Sequence, residues 1–194
     1  MSSQQKVVII TGASQGIGAE LVRAYRDRHY RVVATSRSIQ PSADPDVLAV
    51  AGDIADPETA ERVVREALDR FGRIDALVNN AGIFTAKPFV DFTADDYAQN
   101  MGVNVAGFFH ITQRTKSLAI EFAQAGIRVN AVAPGIIKTP MHPADTHAAL
   151  STLHPVGRMG EIRDIVDAVL YLETASFVTG EILHVDGGQN AGRW

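Results

Sequence analysis

Three glycines near the amino terminus have the spacing of a phosphate-binding turn. In TGASQGIG, Gly12, Gly16 and Gly18 follow the apolar run KVVIIT and precede a helical pattern. Glycines let the backbone turn sharply and approach a phosphate, and the next helix offers free N–H groups and the positive end of its dipole. A strand–helix turn without a ligand can use the same residues. The position after a first strand and before a helix favours dinucleotide binding.

Ser36 and Arg37 follow the second apolar run, RVVAT. Dinucleotide-binding units often place an acid there, on the ribose 2′-hydroxyl. Serine cannot replace that carboxylate, whereas the Arg37 guanidinium can pair with a 2′-phosphate. The pattern therefore favours NADP(H) and leaves NAD(H) open. The alternative is that Arg37 is a solvated loop cation.

Two further strand ends carry polar or small residues. Asp53 and Ile54 follow VLAVAGD, where the carboxylate could accept a hydrogen bond from adenine while isoleucine covers the ring. An ordinary strand-end turn or helix cap explains Asp53 equally well. The next run, DALVNNAG, ends in Asn80, Ala81 and Gly82, which can pass close to a ribose or simply form a turn.

The elements that position these residues alternate between strand and helix. Apolar, β-branched runs predict strands at 6–11, 31–35, 47–53, 75–82, 127–135 and 181–188. Helical spacing predicts helices at 15–29, from Asp56-Pro57 to Gly72, at 94–125 and at 161–173, with a long loop or lid at 136–156. This alternation predicts an α/β fold: a Rossmann-type, doubly wound parallel sheet with helices on both faces, binding ligands beyond the carboxyl ends of its strands.

The composition limits the function classes. The 194 residues predict one domain, and a net charge of −4 argues against nucleic acid or an anionic membrane as the main partner. The absence of cysteine excludes disulfides and thiolate catalysis. His142, His147 and His154 have no evident companion ligands, so no metal is expected, and polar loop residues near a substrate are the preferred interpretation. Without an apolar span or a signal-like start, the expected location is cytoplasmic.

The chain resembles the classical short-chain dehydrogenases/reductases over nearly its whole length. The matching motifs, in order, are TGASQGIG, Asp53, NNAG at 79–82, Asn104 within VNVAG, RVNAVAPG, and TGEILHVDGG at 179–188. The resemblance implies a Rossmann-type sheet and an NAD(P)(H)-dependent oxidoreductase. Such an enzyme transfers hydride between nicotinamide and a small carbonyl or alcohol substrate, and is usually a homodimer or homotetramer.

The resemblance also assigns roles residue by residue. It places Gly12, Ser14, Gln15, Ile17 and Gly18 along the pyrophosphate and ribose, Asp53 and Ile54 at adenine, Asn80, Ala81 and Gly82 beside the nicotinamide-side ribose, and Pro134, Gly135, Ile137 and Thr139 at the nicotinamide. NADP-preferring members often carry a basic residue where Gln15 stands. The NADP(H) preference therefore depends mainly on Arg37.

The catalytic set of the family is incomplete in this sequence. Family members use a serine, a tyrosine, a lysine four residues after that tyrosine, and an asparagine. The lysine's charge brings the phenol, which normally titrates near pH 10, towards neutrality. Only the asparagine is present, as Asn104, and none of the four tyrosines has a lysine four residues later. Roughly 40 family residues, about one strand–helix unit, are missing near Arg114-Thr115.

Two explanations of the gap remain open at this stage. The block is either missing from the recorded sequence or truly deleted from the protein. The first is favoured, because the flanking residues and the cofactor motifs are intact. A true deletion leaves a legal right-handed crossover but removes a central strand, whose neighbours would need new partners. The alternative function is then a catalytically inactive nucleotide-binding module that acts by binding or oligomerisation.

Overall fold

The computed structural model describes residues 5–120 and 128–192. For residues 116–120 it describes the backbone only. The chain forms two compact units, Met1–Ala123 and Gln124–Trp194. The first unit has strands β1 (Val7–Thr11), β2 (Arg31–Ser36), β3 (Val47–Ala51) and β4 (Ala76–Val78). Its helices are α1 (Gly16–Asp27), α2 (Pro57–Phe71), α3 (Ala94–Met101) and α4 (Phe108–Ile120), and a π-helical segment, Gly102–Gly107, lies between α3 and α4.

The four strands of the first unit form one parallel sheet in the order β3-β2-β1-β4. All five residues of β1 are buried, as expected for a central parallel strand covered on both faces. The register pairs Thr11 with Thr35 and Ile10 with Val78, so the strands end at one common edge. The motifs that follow these strands are therefore brought together there.

Helix α2 shows how the local sequence sets a boundary. The Asp56 side chain accepts a hydrogen bond from the backbone N–H of Glu58 at 2.9 Å, and Pro57 occupies the first turn. The helix ends at Gly72, whose φ of 76° is left-handed. One face of the helix packs Val63, Ala67 and other apolar residues into the core. These predicted start and stop signals are confirmed.

The second unit is smaller and contains a separate parallel pair of strands. Its elements are β5 (Ala131–Pro134), α5 (His147–Ser151), α6 (Ile162–Thr174) and β6 (Ile182–Val185). Among the described residues, β5 pairs only with β6, and β4 only with β1.

Several of the sequence-based boundaries need correction. The long helix predicted at 94–125 is interrupted by the π-helical segment, and residues 121–125 lie outside the described part. The predicted loop at 136–156 contains α5 and a short 3₁₀ turn, Ala144–Thr146. Four predicted strands are shorter in the structure. Those predicted at 47–53, 75–82, 127–135 and 181–188 are observed at Val47–Ala51, Ala76–Val78, Ala131–Pro134 and Ile182–Val185. The α/β class and the parallel sheet are confirmed, whereas one domain over 1–194 stays a prediction.

Candidate cofactor-binding site

The glycine turn after β1 has a geometry that other residues could not adopt. Gly12 and Gly16 have φ angles of +66° and +57°, in the left-handed region. A Cβ on Gly18 would lie 2.2 Å from the carbonyl oxygen of Gly12, so a side chain there would collide with the backbone of the turn. The turn is therefore tightly folded and carries no side chains at its three glycines, which allows close approach of a phosphate.

A set of hydrogen bonds joins the end of β4 to this turn. The Thr11 hydroxyl accepts from the backbone N–H groups of Asn80 at 3.0 Å and Ala81 at 2.9 Å. In return, the Asn80 side-chain amide donates to the carbonyl oxygens of Thr11 at 3.0 Å and Gly12 at 3.2 Å. The Asn80 amide thus holds the glycine turn in place. Sequence reasoning missed Thr11, although its position as the last residue of β1 was a usable signal.

The amino terminus of α1 is left open. Its N-cap residue, Gln15, makes no side-chain capping bond, and its first turn contains no acid. Ser14 and Gln15 are exposed beside it. The first N–H groups of a helix need an acceptor, which a bound phosphate could provide.

The end of β2 combines a free cation with unsatisfied hydroxyls. The side-chain oxygens of Thr35 and Ser36 are buried and have no hydrogen-bond partner. Arg37 is exposed and makes no ion pair within the described residues. Buried polar atoms are normally satisfied, so these hydroxyls indicate a place where a ligand or water would bind. A phosphate at this point could take hydrogen bonds from Ser36 and charge from Arg37.

The residues after β3 are divided between the surface and the core. Asp53 is exposed, and its Oδ1 accepts from the backbone N–H of Ala55 at 3.0 Å, in a local turn. The side chain of Ile54 is 8% exposed and packs in the main core. A Cβ on Gly107 would lie 2.8 Å from Ile54 Cγ2, which shows how closely the π-helical segment approaches. The turn role of Asp53 is therefore observed, and its adenine contact and that of Ile54 stay predictions.

Asn104 lies in the π-helical segment and uses both ends of its amide. Its Nδ2 donates to the Ile83 carbonyl and its Oδ1 accepts from the Ile83 N–H, each at 2.9 Å. A Cβ on Gly82 would lie 3.4 Å from the same Oδ1. Together with Thr11 and Asn79, Asn104 lines a cavity of about 80 Å³. Single π-helical turns frequently occur at functional sites, because they redirect side chains within a helix.

The remaining predicted cofactor residues lie in the second unit, on the loop after β5. Pro134 ends that strand, Ile137 is buried, and the Thr139 hydroxyl accepts from the backbone N–H of Met141 at 3.3 Å. Gly135 is confined, because a Cβ there would lie 2.7 Å from His154 Nε2. This loop borders a cavity of about 360 Å³ that also reaches Asp186.

Asp186, which follows β6, is held ionised by its surroundings. Desolvation opposes ionisation, but backbone N–H groups of Asn190 and Gly188 and the nearby His184 together lower the pKa of Asp186. The two backbone bonds measure 2.8 and 3.0 Å. The carboxylate therefore fixes the glycine turn after β6 that closes one side of this cavity.

The three loop histidines do not form a common site. His154 is buried and lines the cavity beside Gly135, so its proximity to a substrate stays a prediction. His147 Nε2 contacts the backbone carbonyl of His142 at 3.0 Å, which is a local contact within the loop. No cluster of metal-binding side chains occurs in residues 5–120 and 128–192. In the same ranges, no helix is long and apolar enough to cross a membrane.

Comparison with family models places the chain in a known class. Residues 6–115 match the model of the short chain dehydrogenases, and residues 111–190 match a model described as enoyl-(acyl carrier protein) reductase. Both the glycine turn and the Asn104 segment lie in the first match. The chain belongs to the short-chain dehydrogenase/reductase family and is by class an NAD(P)(H)-dependent oxidoreductase.

Individual relatives support this assignment over the full length. The chain is 30% identical to subunit BbsD of a (2S)-[(R)-hydroxy(phenyl)methyl]succinyl-CoA dehydrogenase from Thauera aromatica, covering 98% of each chain. It is also 30% identical to the 3-oxoacyl-[acyl-carrier-protein] reductase FabG of Vibrio cholerae, covering 97% of this chain and 98% of that protein. Both are named as oxidoreductases, so they lend no support to an inactive binding module.

Solved structures share the fold closely. ElxO with NADP bound has a TM-score of 0.86 at 25% identity, covering 97% of this chain and all of the other. A blue fluorescent protein from a metagenomic library, in complex with NADPH, has a TM-score of 0.83 at 29% identity, covering 95% of this chain and 97% of the other. Both structures are complexes with the phosphorylated dinucleotide.

Proposed function

We propose that this protein is an NADP(H)-preferring oxidoreductase acting on a small carbonyl or alcohol compound. The observation that carries the proposal is the common edge of the first sheet, where the glycine turn, the open start of α1 and the Ser36-Arg37 pair follow adjacent strands. The turn and the helix N–H groups suit a pyrophosphate, and Ser36 and Arg37 suit a 2′-phosphate. The NADP and NADPH complexes of two structural neighbours support the same choice.

Charge reversal at Arg37 tests the cofactor preference. The Arg37→Asp variant should lower the NADPH/NADH affinity ratio about ten- to hundredfold, because a charge-assisted hydrogen bond contributes about 1.5–3 kcal/mol. Arg65→Asp, on the exposed side of α2, makes the same change in net charge away from the strand ends. In titrations with NADPH and NADH, the affinity ratio of this control variant should equal that of wild type. An unchanged ratio in Arg37→Asp would refute the 2′-phosphate role.

We further propose that the catalytic serine, tyrosine and lysine belong to a block missing from the recorded sequence near Arg114-Thr115. Two observations support this position. The first family match ends at 115 and the second begins at 111, and the alignment with BbsD spans 244 positions against the 194 residues of this chain. Asn104 would then support the proton relay of the complete enzyme. Helix α4 runs without a break across the junction, so the flanking residues can adopt helix on both sides.

An intact-mass measurement on the protein expressed from its natural coding sequence tests the missing block. A mass about 4 to 5 kDa above 20.9 kDa, for roughly 40 added residues, would support the proposal. A mass of 20.9 kDa would establish a true deletion and refute it. With the true deletion, purified protein should bind NADPH but show no hydride transfer.

We also propose that the protein forms a homodimer or homotetramer. Large apolar side chains of α3 and α4 are exposed: Tyr97 by 65% and Phe108 and Phe109 by 54% each. Exposed apolar surface of this kind commonly marks a protein interface. Light scattering on the purified protein would contradict the proposal if the species were monomeric. The cytoplasmic location stays a prediction.

A further inference from the structure

His154 is a buried histidine that bonds to the backbone of a cofactor-site loop. It follows α5, and only 4% of its surface is exposed. Its Nε2 accepts a hydrogen bond from the backbone N–H of Ile136 at 2.9 Å. Because an accepting imidazole nitrogen carries no proton, the neutral ring holds its proton on Nδ1.

The other ring nitrogen shows that the side chain is not there for packing alone. His154 Nδ1 is buried and has no hydrogen-bond partner in the described residues. An unpaired buried donor is destabilising, and an apolar side chain of similar size would avoid that cost. The contact with Ile136 is therefore the feature of the imidazole that leucine could not reproduce.

Ile136 lies in a loop whose backbone is hydrogen-bonded on both sides of it. Gly135 N–H donates to the Val185 carbonyl at 3.0 Å, on the β6 side of the loop. On the other side, the Ile136 carbonyl accepts from Gly160 N–H at 3.0 Å, and Lys138 N–H donates to the Gly160 carbonyl at 2.9 Å. The Ile136 N–H is the donor between these bonds, and only the His154 side chain satisfies it within the described residues.

The ring also sets how closely the loop can lie against its neighbours. A Cβ on Gly135 would be 2.7 Å from His154 Nε2 and 2.9 Å from the Cα of Asp186. The loop is thus held between the imidazole and the turn after β6, with Nε2 as the polar contact. Loss of that acceptor would leave an unpaired N–H at this point, and the loop would move to reach water.

We propose that His154 is a positioning residue that presets the loop 134–139 for the nicotinamide half of the cofactor. The inference rests on the proposed function, since the nicotinamide role of Pro134, Gly135, Ile137 and Thr139 belongs to it. His154 does not touch the cofactor in this role. It lowers the cost of ordering the loop by accepting from Ile136 before the ligand arrives.

The test compares a complete cofactor with a ligand that lacks nicotinamide. His154→Leu should weaken NADPH binding about three- to tenfold, the equivalent of one lost neutral hydrogen bond, when measured by calorimetry. Binding of adenosine 2′,5′-bisphosphate, which has only the adenine end, should stay within about twofold of wild type. His154→Gln should restore NADPH affinity, because an amide oxygen can replace Nε2 as the acceptor.

Several outcomes would overturn the inference. Unchanged NADPH affinity in His154→Leu, an equal loss for both ligands, or no recovery in His154→Gln would each exclude the positioning role. Should His154→Leu fail to fold, His154→Asn replaces it, because this shorter amide is polar but falls short of Nε2. If the wild-type protein binds neither ligand, the proposed function itself is wrong and the role of His154 falls with it. If the wild-type protein binds NADPH and only the His154 variants behave differently from expectation, the proposed function stands and only the role of His154 is wrong.

Discussion

The hydroxyl of Thr11 should be worth about 2 kcal/mol to the folding of the first unit. In Thr11→Val the shape of the side chain is kept, but the N–H groups of Asn80 and Ala81 lose their acceptor. An unsatisfied buried donor costs about 1–3 kcal/mol. Both residues are half-buried, so water compensates in part and the lower figure applies to each. The variant should therefore melt about 4–8 °C below wild type.

Thr35→Val is a matched control for this prediction. Thr35 pairs with Thr11 in the sheet register and is equally buried, at 2% exposure. Its hydroxyl has no hydrogen-bond partner, so the same substitution removes no bond and should leave stability unchanged or slightly raised. Urea unfolding followed by far-ultraviolet circular dichroism measures both variants. The reasoning would be refuted if Thr11→Val were as stable as wild type, or if Thr11→Val and Thr35→Val lost the same amount of stability.

Three other changes test the structure at separate places. Gly18→Ala should abolish NADPH binding in calorimetry, because its Cβ would lie 2.2 Å from the Gly12 carbonyl; normal affinity would contradict the close turn. Arg128→Met should lower the melting temperature, because the guanidinium donates hydrogen bonds to backbone carbonyls at the end of α6. An unchanged melting temperature would show that water satisfies these carbonyls equally well. Hydrogen bonds from Lys87 and Thr93 lower the pKa of Asp96. Its folded-state pKa is depressed, so its contribution is present above about pH 4 and is lost as pH falls further. Urea midpoints of Asp96→Asn between pH 5 and pH 2 should fall less steeply than those of wild type, and parallel curves would exclude this role.

The sequence was informative where a residue type has a strong preference for one local backbone conformation or capping position. The Asp56-Pro57 start and the Gly72 end of α2 were predicted correctly, because caps depend on the nearest backbone groups. The glycine turn was equally readable, since positive φ angles favour glycine in any context. Strand–helix alternation gave the parallel sheet for a similar reason, as apolar β-branched runs joined by helices cannot pair as hairpins.

Features that depend on partners distant in sequence could not be predicted. The hydroxyl of Thr11 holds the turn through residues about 70 positions away, and the pattern of VVIIT gives no sign of it. The same limit applies to His154, which looked like a polar loop residue until its contact with Ile136 placed it inside the second unit. The π-helical segment around Asn104 also escaped detection, because a helical pattern does not reveal one extra residue in a turn.

The sequence by itself determined the class of the protein, its dinucleotide motif and the absence of a Tyr-x3-Lys pair, since each is a property of residue types at fixed spacing. Only the tertiary structure decided which polar groups are satisfied and which are left open. Ser36 and Gln15 remain available to a ligand, while the Asn80 and Asn104 amides are committed to the backbone. The physical reason is that a hydrogen bond depends on the distance between donor and acceptor in the folded chain. The order of residues in the sequence does not specify that distance.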